Sequence, residues 1–290
     1  MIKNFIKQLC FILFGNLTLL ILKFLLKKNS VYVVNYHATY PKYKLNFLKQ
    51  IEFYKKYFEI IDENLLLNID KLFSKNSKPK ILITFDDGHI SNYYNAKNLD
   101  QLGIKACFFL PISVIQRKTE NNIELENKIL NNKYSILSEL NEDLKNNYYR
   151  LTMTWQQVID LSNRGHSIGS HGYNHIRLSN DLNDSQLNKE IETSKKIIEE
   201  KLGKSVNSFC WIIGDTKSYS KNASKKITQS NYSLSFMTCA KPYDKDQSSL
   251  QIHRFNIEDF FSLARISFIF SGIYELIYSK KRNFVNQLTK

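Results

Sequence analysis

Lys80-Ile81-Leu82-Ile83-Thr84-Phe85-Asp86-Asp87-Gly88 is the stretch from which the fold can be read. After Lys80 come five residues suited to a strand buried on both faces, and the run ends on two carboxylates and a glycine. A helix around Tyr93–Leu102 follows, with Gly103 as its C-cap, and then a strand from Lys105 to Leu110 closed by Pro111. Strand, helix and strand in succession mark a parallel α/β fold. Upstream, Val31-Tyr32-Val33-Val34 reads as a buried strand delivering Asn35-Tyr36-His37, and residues 44–62 carry Leu, Phe and Ile at helical spacing. Downstream, residues 115–150 are rich in Asn, Lys and Glu and read as an excursion with one or two helices over the core. Thr154 is an N-cap for a helix from Trp155 to about Asn163, which Arg164-Gly165 ends. His166 to Ser170 is a short strand leading into His171. Asp184 or Ser185 caps a charged helix running to Leu202 and stopped by Gly203, and Ser208 to Ile213 is the next strand.

A chain of 290 residues, 43% hydrophobic, is long enough to bury the core of a single α/β barrel. The formal charge of +14 suits anionic partners, although a solvated basic surface is the better account of it in a chain so rich in Lys, Asn and Ile. Nucleic acid is disfavoured: there is no zinc finger, no RNA-recognition signature and no basic run interleaved with aromatics. Cys10, Cys107, Cys210 and Cys239 form no CxxC pair and have apolar flanks, as buried free thiols in a reducing compartment would.

Both chain ends are apolar. Residues 1–29 read as a membrane-associating segment. The uncharged stretch from Gln8 to Leu22 falls short of the roughly 20 residues needed to span a bilayer. Gly15-Asn16 suggests a break, so two short helices lying on a membrane surface are expected, with a packed core helix as the alternative. No small-residue cleavage site follows, which favours the cytoplasmic face, with export behind an uncleaved anchor as the other option. Residues 257–290 read as a C-terminal amphipathic helix, apolar from Phe260 to Tyr278 and followed by Lys280-Lys281-Arg282; it suits either an anionic bilayer or the outside of the barrel.

The chemistry-bearing residues lie at strand ends. Asp86 and Asp87 are adjacent carboxylates that point different ways at the end where barrel sites form, so one can bind a metal while its neighbour faces substrate; capping the next helix is the plainer use of such a pair. His171 and His175 bring two imidazoles together, and Gly172 and Asn174 place them in a loop rather than on a helix. Two histidines and a carboxylate leave a vacant position on a zinc-type ion, and a vacant position allows catalysis.

Together these motifs resemble those of the polysaccharide deacetylases of the NodB-homology type, carbohydrate esterase family 4. Thr84-Phe85-Asp86-Asp87-Gly88 is similar to the family's first motif. Gly165-His166-Ser167-Ile168-Gly169-Ser170-His171-Gly172-Tyr173-Asn174-His175 is similar to its second. Gly103 to Leu110 resembles the strand between them, and Trp155 with its helix the segment before the second motif. The resemblance runs from about Val31 to Arg254. It implies a distorted (β/α) barrel over residues 30–256 and removal of an N-acetyl or other N-acyl group from a carbohydrate. The expected substrate is a cell-surface polysaccharide or a lipid-linked glycan precursor. It implies Asp86 as the general base, and Asp87, His171 and His175 as ligands of a divalent metal, usually zinc.

The third motif departs from the family pattern. In Phe209-Cys210-Trp211-Ile212-Ile213-Gly214-Asp215, Ile212 stands where Pro is usual and Cys210 where many members have an Arg that orients the base. The backbone N–H of Ile213 is the implied oxyanion donor. Leu250-Gln251-Ile252-His253 resembles the late motif whose His is the general acid; alternatively Arg254 is the residue that matters on that strand. His37, Trp211 and Arg254 are further candidates to line the site. Two other readings stand beside the deacetylase: a degenerate member that binds glycan without catalysis, and a metallo-amidase acting on a non-sugar amide.

Overall fold

The computed structural model describes residues 2–73, 78–116 and 152–290, with side chains described from residue 14 onward. The excursion expected at 115–150 therefore lies, beyond Gln116, outside the described residues, as does the side chain of Cys10.

The strands are β1 (Val31–Tyr36), β2 (Glu59–Ile61), β3 (Lys80–Phe85), β4 (Cys107–Leu110), β5 (Ser167–Ser170), β6 (Ser208–Cys210), β7 (Leu234–Met237) and β8 (Ile252–Asn256). Every pairing is parallel. The order is β2-β3-β4-β5-β6-β7-β8-β1, and β1 pairs again with β3, from Val31 opposite Lys80 to Tyr36 opposite Phe85. That last pairing closes a seven-stranded barrel. β2 shares the other edge of β3 with β4, taking its N-terminal half while β4 takes the C-terminal half.

Side chains alternate across the wall. Val31, Val33, Leu82, Cys107, Phe109, Cys210, Phe236 and Ile252 fill the interior. Tyr32, Val34, Ile81, Ile83, Phe108, Phe209 and Phe255 face outward into a second apolar layer beneath the helices. These are α1 (Ile2–Leu25), α2 (Lys44–Tyr57), α3 (Glu63–Leu67), α4 (Ile69–Leu72), α5 (Ile90–Gln101), α6 (Ile112–Gln116), α7 (Trp155–Asn163), α8 (Asp184–Leu187), α9 (Ser194–Leu202), α10 (Lys221–Gln229), α11 (Leu263–Phe270), α12 (Ile273–Ile277) and α13 (Ser279–Leu288). A π-helical segment, Asn188–Thr193, joins α8 to α9. Thr154 caps α7 through a full capping box with Gln157, and Gly203 ends α9 in the left-handed conformation.

Three expectations are corrected. The helix read at 44–62 stops at Tyr57: Phe58 is extended, and Glu59–Ile61 pair with β3, a short apolar run whose periodicity does not separate helix from strand. The amino end is one helix, not two. Gly15 does not break α1 but lets it approach α11, because a Cβ there would lie 2.6 Å from the Ala264 carbonyl oxygen. The carboxyl end is three short helices rather than one, since Gly272, at φ +88°, turns the chain between α11 and α12. Ile266, Ile269 and Phe270 of α11 are buried, with Phe270 against Tyr32, Tyr54 and Phe58, so much of that apolar run is core. Among the described residues no helix is long and apolar enough to cross a membrane.

Candidate active site

Asp86 continues the inward alternation of Leu82 and Thr84 and is buried at the top of the barrel, where its N–H donates to the Tyr36 carbonyl oxygen at 2.8 Å. Asp87 turns away from it because its φ is +66°, a conformation that Asp tolerates better than most side chains. The two adjacent carboxylates are thereby committed to different neighbours.

Asp86 is held by Arg254. Nη1 donates to Oδ1 and Nη2 to Oδ2, both at 2.7 Å; Nη1 also reaches Thr84 Oγ1 at 3.0 Å, and Nη2 the Cys210 sulfur at 2.8 Å. Arg254 reaches inward because it alternates with His253 on β8. Cys210 is small enough to let the guanidinium pass. Burial alone would raise the Asp86 carboxyl, but Arg254, with His171, holds it below the usual range. Arg254 so brings to Asp86, from β8, a guanidinium that Cys210 of the third motif does not offer.

His171 follows β5. Its Nδ1 lies 2.9 Å from the Cys210 carbonyl oxygen, which can only accept, so that nitrogen carries the proton and Nε2 is left toward Asp87. The loop to His175 turns on Gly172, where a Cβ would meet Ile212 at 2.7 Å and Glu190 at 3.0 Å, and on His175 itself at φ +59°. Glu190, in the π-helical segment, clamps that loop. It accepts from the backbone N–H groups of Tyr173 and Asn174 at 2.9 Å each, and from the Asn174 side chain at 2.7 Å. Its role is not signalled in the sequence, where it is one of several charges on a polar helix.

Asp87 Oδ1 lies 3.4 Å from His171 Nε2 and 3.1 Å from His175 Nε2, so both imidazoles face this one carboxylate oxygen. One ligand atom from each of the three residues falls within 4.8 Å of the others. Two imidazole nitrogens and a carboxylate oxygen are thus gathered within ligand reach of one another, a donor set that fits a divalent metal. Burial would raise the Asp87 carboxyl, but the two imidazoles and His37 hold it well below its ordinary value. Asp86, His171 and Cys210 also converge. That trio is the poorer donor set: Arg254 occupies both oxygens of Asp86, and burial pushes the Cys210 thiol well away from the thiolate a metal needs.

His37, Arg254 and Ile213 line a cavity of ≈ 410 Å³ beside this centre. His37 Nδ1 lies 3.3 Å from Glu258 Oε1. Desolvation opposes the imidazolium, but Glu258 together with Asp87 and Asp86 raises His37 to about 9. Ile213 sits at φ +64° with its neighbours joined by a Gly214 N–H to Ile212 oxygen bond of 2.6 Å, a strained tight turn for a β-branched residue.

Two expected residues are not brought to the site. His253 faces outward by the alternation of β8, is fully buried, and lies 2.8 Å from Asn286 Oδ1 on α13. Burial depresses its pKa to about 4. Trp211, one residue past inward-facing Cys210, is buried in the outer layer with its Nε1 donating to Ser235 Oγ at 2.8 Å.

The family model described as polysaccharide deacetylase matches residues 73–232. YxkH of Bacillus subtilis (strain 168), which carries the name of a polysaccharide deacetylase, is 24% identical over 197 residues; the match covers 68% of this chain and 57% of that protein, so the chain spans just over half the length of this relative. Among solved structures, IcaB from Ammonifex degensii superposes with a TM-score of 0.63 at 17% identity, covering 84% of this chain and 98% of that one. The Streptococcus pyogenes deacetylase PplD, in complex with acetate, gives 0.61 at 15% identity, covering 82% and 96%. At these identities the two structures speak for the fold.

Proposed function

Because the chain belongs to the polysaccharide deacetylase family, we propose that it is a metal-dependent hydrolase removing an N-acetyl, or other N-acyl, group from an amino sugar of a glycan. The observation that carries this reading is the convergence of Asp87, His171 and His175 beside a buried Asp86 gripped on both oxygens by Arg254. Asp87, His171 and His175 would hold the ion, zinc by the chemistry of the donors; when bound it supplies a Lewis acid for the acyl carbonyl and acidifies water. Asp86, kept ionised by Arg254, accepts the proton of the attacking water with a lone pair that the guanidinium leaves open. The Ile213 N–H is the oxyanion donor in this reading. His37, protonated near neutrality by its pairing with Glu258, gives the leaving amine its proton in place of His253.

A membrane-surface setting and a lipid-linked glycan suit the outer face of α1. Phe14, Leu17, Leu20, Ile21 and Phe24 are exposed along it, with Leu20 at 82% and Phe24 at 85%, and Leu45 of α2 adds to the patch. Lys23, Lys28, Lys49 and Lys56 stand around it, as befits an anionic, cytoplasmic-face bilayer surface.

The test is metal analysis together with acetate release from acetylated amino sugars. Wild-type protein is expected to carry about one zinc and to release acetate; Asp87→Ala loses the metal, while Asp86→Asn keeps it and loses activity by a hundredfold or more. Zinc-loaded wild type that is inert toward every acylated glycan would favour the binding-only reading. Undiminished turnover in Asp86→Asn would remove the base.

A further inference from the structure

The cavity that shares His37, Ile213 and Arg254 with the candidate centre continues beyond it, onto a wall built by the C-terminal helices. Four side chains follow one another along that wall: Arg265 of α11, Tyr274 of α12, Tyr278 just beyond it, and Lys281 of α13. The Tyr274 and Tyr278 rings are 5.3 Å apart, and the Lys281 ammonium stands 5.6 Å from the Tyr278 ring centre. Arg265 is anchored with its guanidinium on the Phe261 ring, 3.4 Å from the centroid. Lys281 donates to the carbonyl oxygens of Gly214 and Thr238, so its partners are neutral and its full charge is left to the cavity.

The acidic groups nearby are otherwise engaged. Asp215 on the rim is bound by Arg177 at 2.7 Å and Asp86 by Arg254, while Glu258 is shared between His37 and Arg265, so these three carboxylates are outnumbered by the cations around them. The cavity is therefore net cationic, with two phenolic rings between two fixed cations. Rings and phenols suit sugar faces and hydroxyls, whereas a guanidinium and an ammonium held over aromatic rings are suited to an oxyanion. We propose that this wall is a subsite for an anionic substituent, a phosphate ester or a uronate, carried by the glycan next to the acylated amino sugar. The proposal rests on the deacetylase reading for what occupies the neighbouring centre, and it names what distinguishes this chain's substrate.

The experiment measures dissociation constants at low salt for N-acetylglucosamine, N-acetylglucosamine 1-phosphate and a disaccharide of N-acetylglucosamine with glucuronic acid. The readout is the ratio of charged to neutral affinity, which requires no turnover and so is separable from failure of the deacetylase reading. At least one charged probe is expected to bind about tenfold tighter than the neutral sugar, as one or two charge-assisted hydrogen bonds would give. The better of the two charged probes identifies the anion as phosphate or carboxylate. In the Arg265→Gln, Lys281→Gln double variant the ratio should fall to about one. Arg265→Lys and Lys281→Arg, checked by thermal melting to be folded, should retain most of it. Equal affinity for charged and neutral probes in the wild type would overturn the proposal, as would a preference that survives the double substitution.

Discussion

Arg254 and His253 are neighbours in sequence with opposite fates, and the alternation of β8 decides which does what. Arg254→Gln would leave a buried carboxylate without its cation. We expect a loss of about 3–5 kcal/mol in unfolding free energy, measured by urea denaturation, together with loss of acetate release. His253→Gln should keep turnover within a few-fold, whereas His37→Gln should lower kcat by about a hundredfold without changing zinc content. The reverse ranking of the two histidine variants would restore His253 as the acid. Asp86, Asp87, His171 and His175 could be singled out because the motifs that hold them resemble those of one family and because carboxylates and imidazoles gathered at strand ends are the types a metal needs; the structure adds that Asp87, His171 and His175 come together. The placement of His253 and Trp211 was not legible. A residue's side of a strand depends on where that strand begins pairing, and a motif of a few letters does not carry that register.

At the scale of elements, α1 is apolar on both sides from residue 14 onward. Gly15 and Leu22, with Leu26 just past the helix, face the body of the protein, while Leu17, Leu20 and Phe24 face away. The two faces should separate in experiment. Leu20→Ser with Phe24→Ser is expected to abolish flotation with anionic vesicles while leaving the melting temperature within a degree or two. Gly15→Val should instead lower the melting temperature by forcing α1 off α11, and leave vesicle binding largely in place. Flotation unaffected by the double substitution would argue that the outer face has another use. The sequence showed that the segment was apolar, but not that Gly15 is a contact rather than a break: a glycine permits both, and only the partner helix selects. The same holds at Gly272, where an apolar run that reads as one helix folds into two.

Across the whole molecule, stability should respond to acid through imidazoles that the fold keeps neutral. His166 and His253 are both depressed to about 4 by burial. Between pH 6.5 and 4 the unfolded chain binds more protons at these positions than the folded one. Their contribution is fully present above pH 6.5 and is lost as the pH falls toward 4, by up to about 3 kcal/mol each. Asp259 works the other way. Burial raises it to about 7, so its contribution is lost as the pH rises from about 4 toward 7. Denaturation midpoints followed from pH 4 to 8 should show the steeper fall on the acid side, and His253→Gln should flatten it. An unchanged slope in that variant would mean that His253 is not kept neutral by the fold.

Asp87, His175 and Ile213 all hold left-handed backbone conformations, which Asp and His tolerate and which cost β-branched Ile roughly 1–3 kcal/mol. An unfolded chain does not hold these turns, so the donors meet only once the barrel has closed around them. Ion affinity and folding are then two measurements of one equilibrium. Micromolar zinc in excess should raise the melting temperature of the whole chain, and a core substitution far from the ligands should weaken apparent zinc affinity in proportion to the stability it removes.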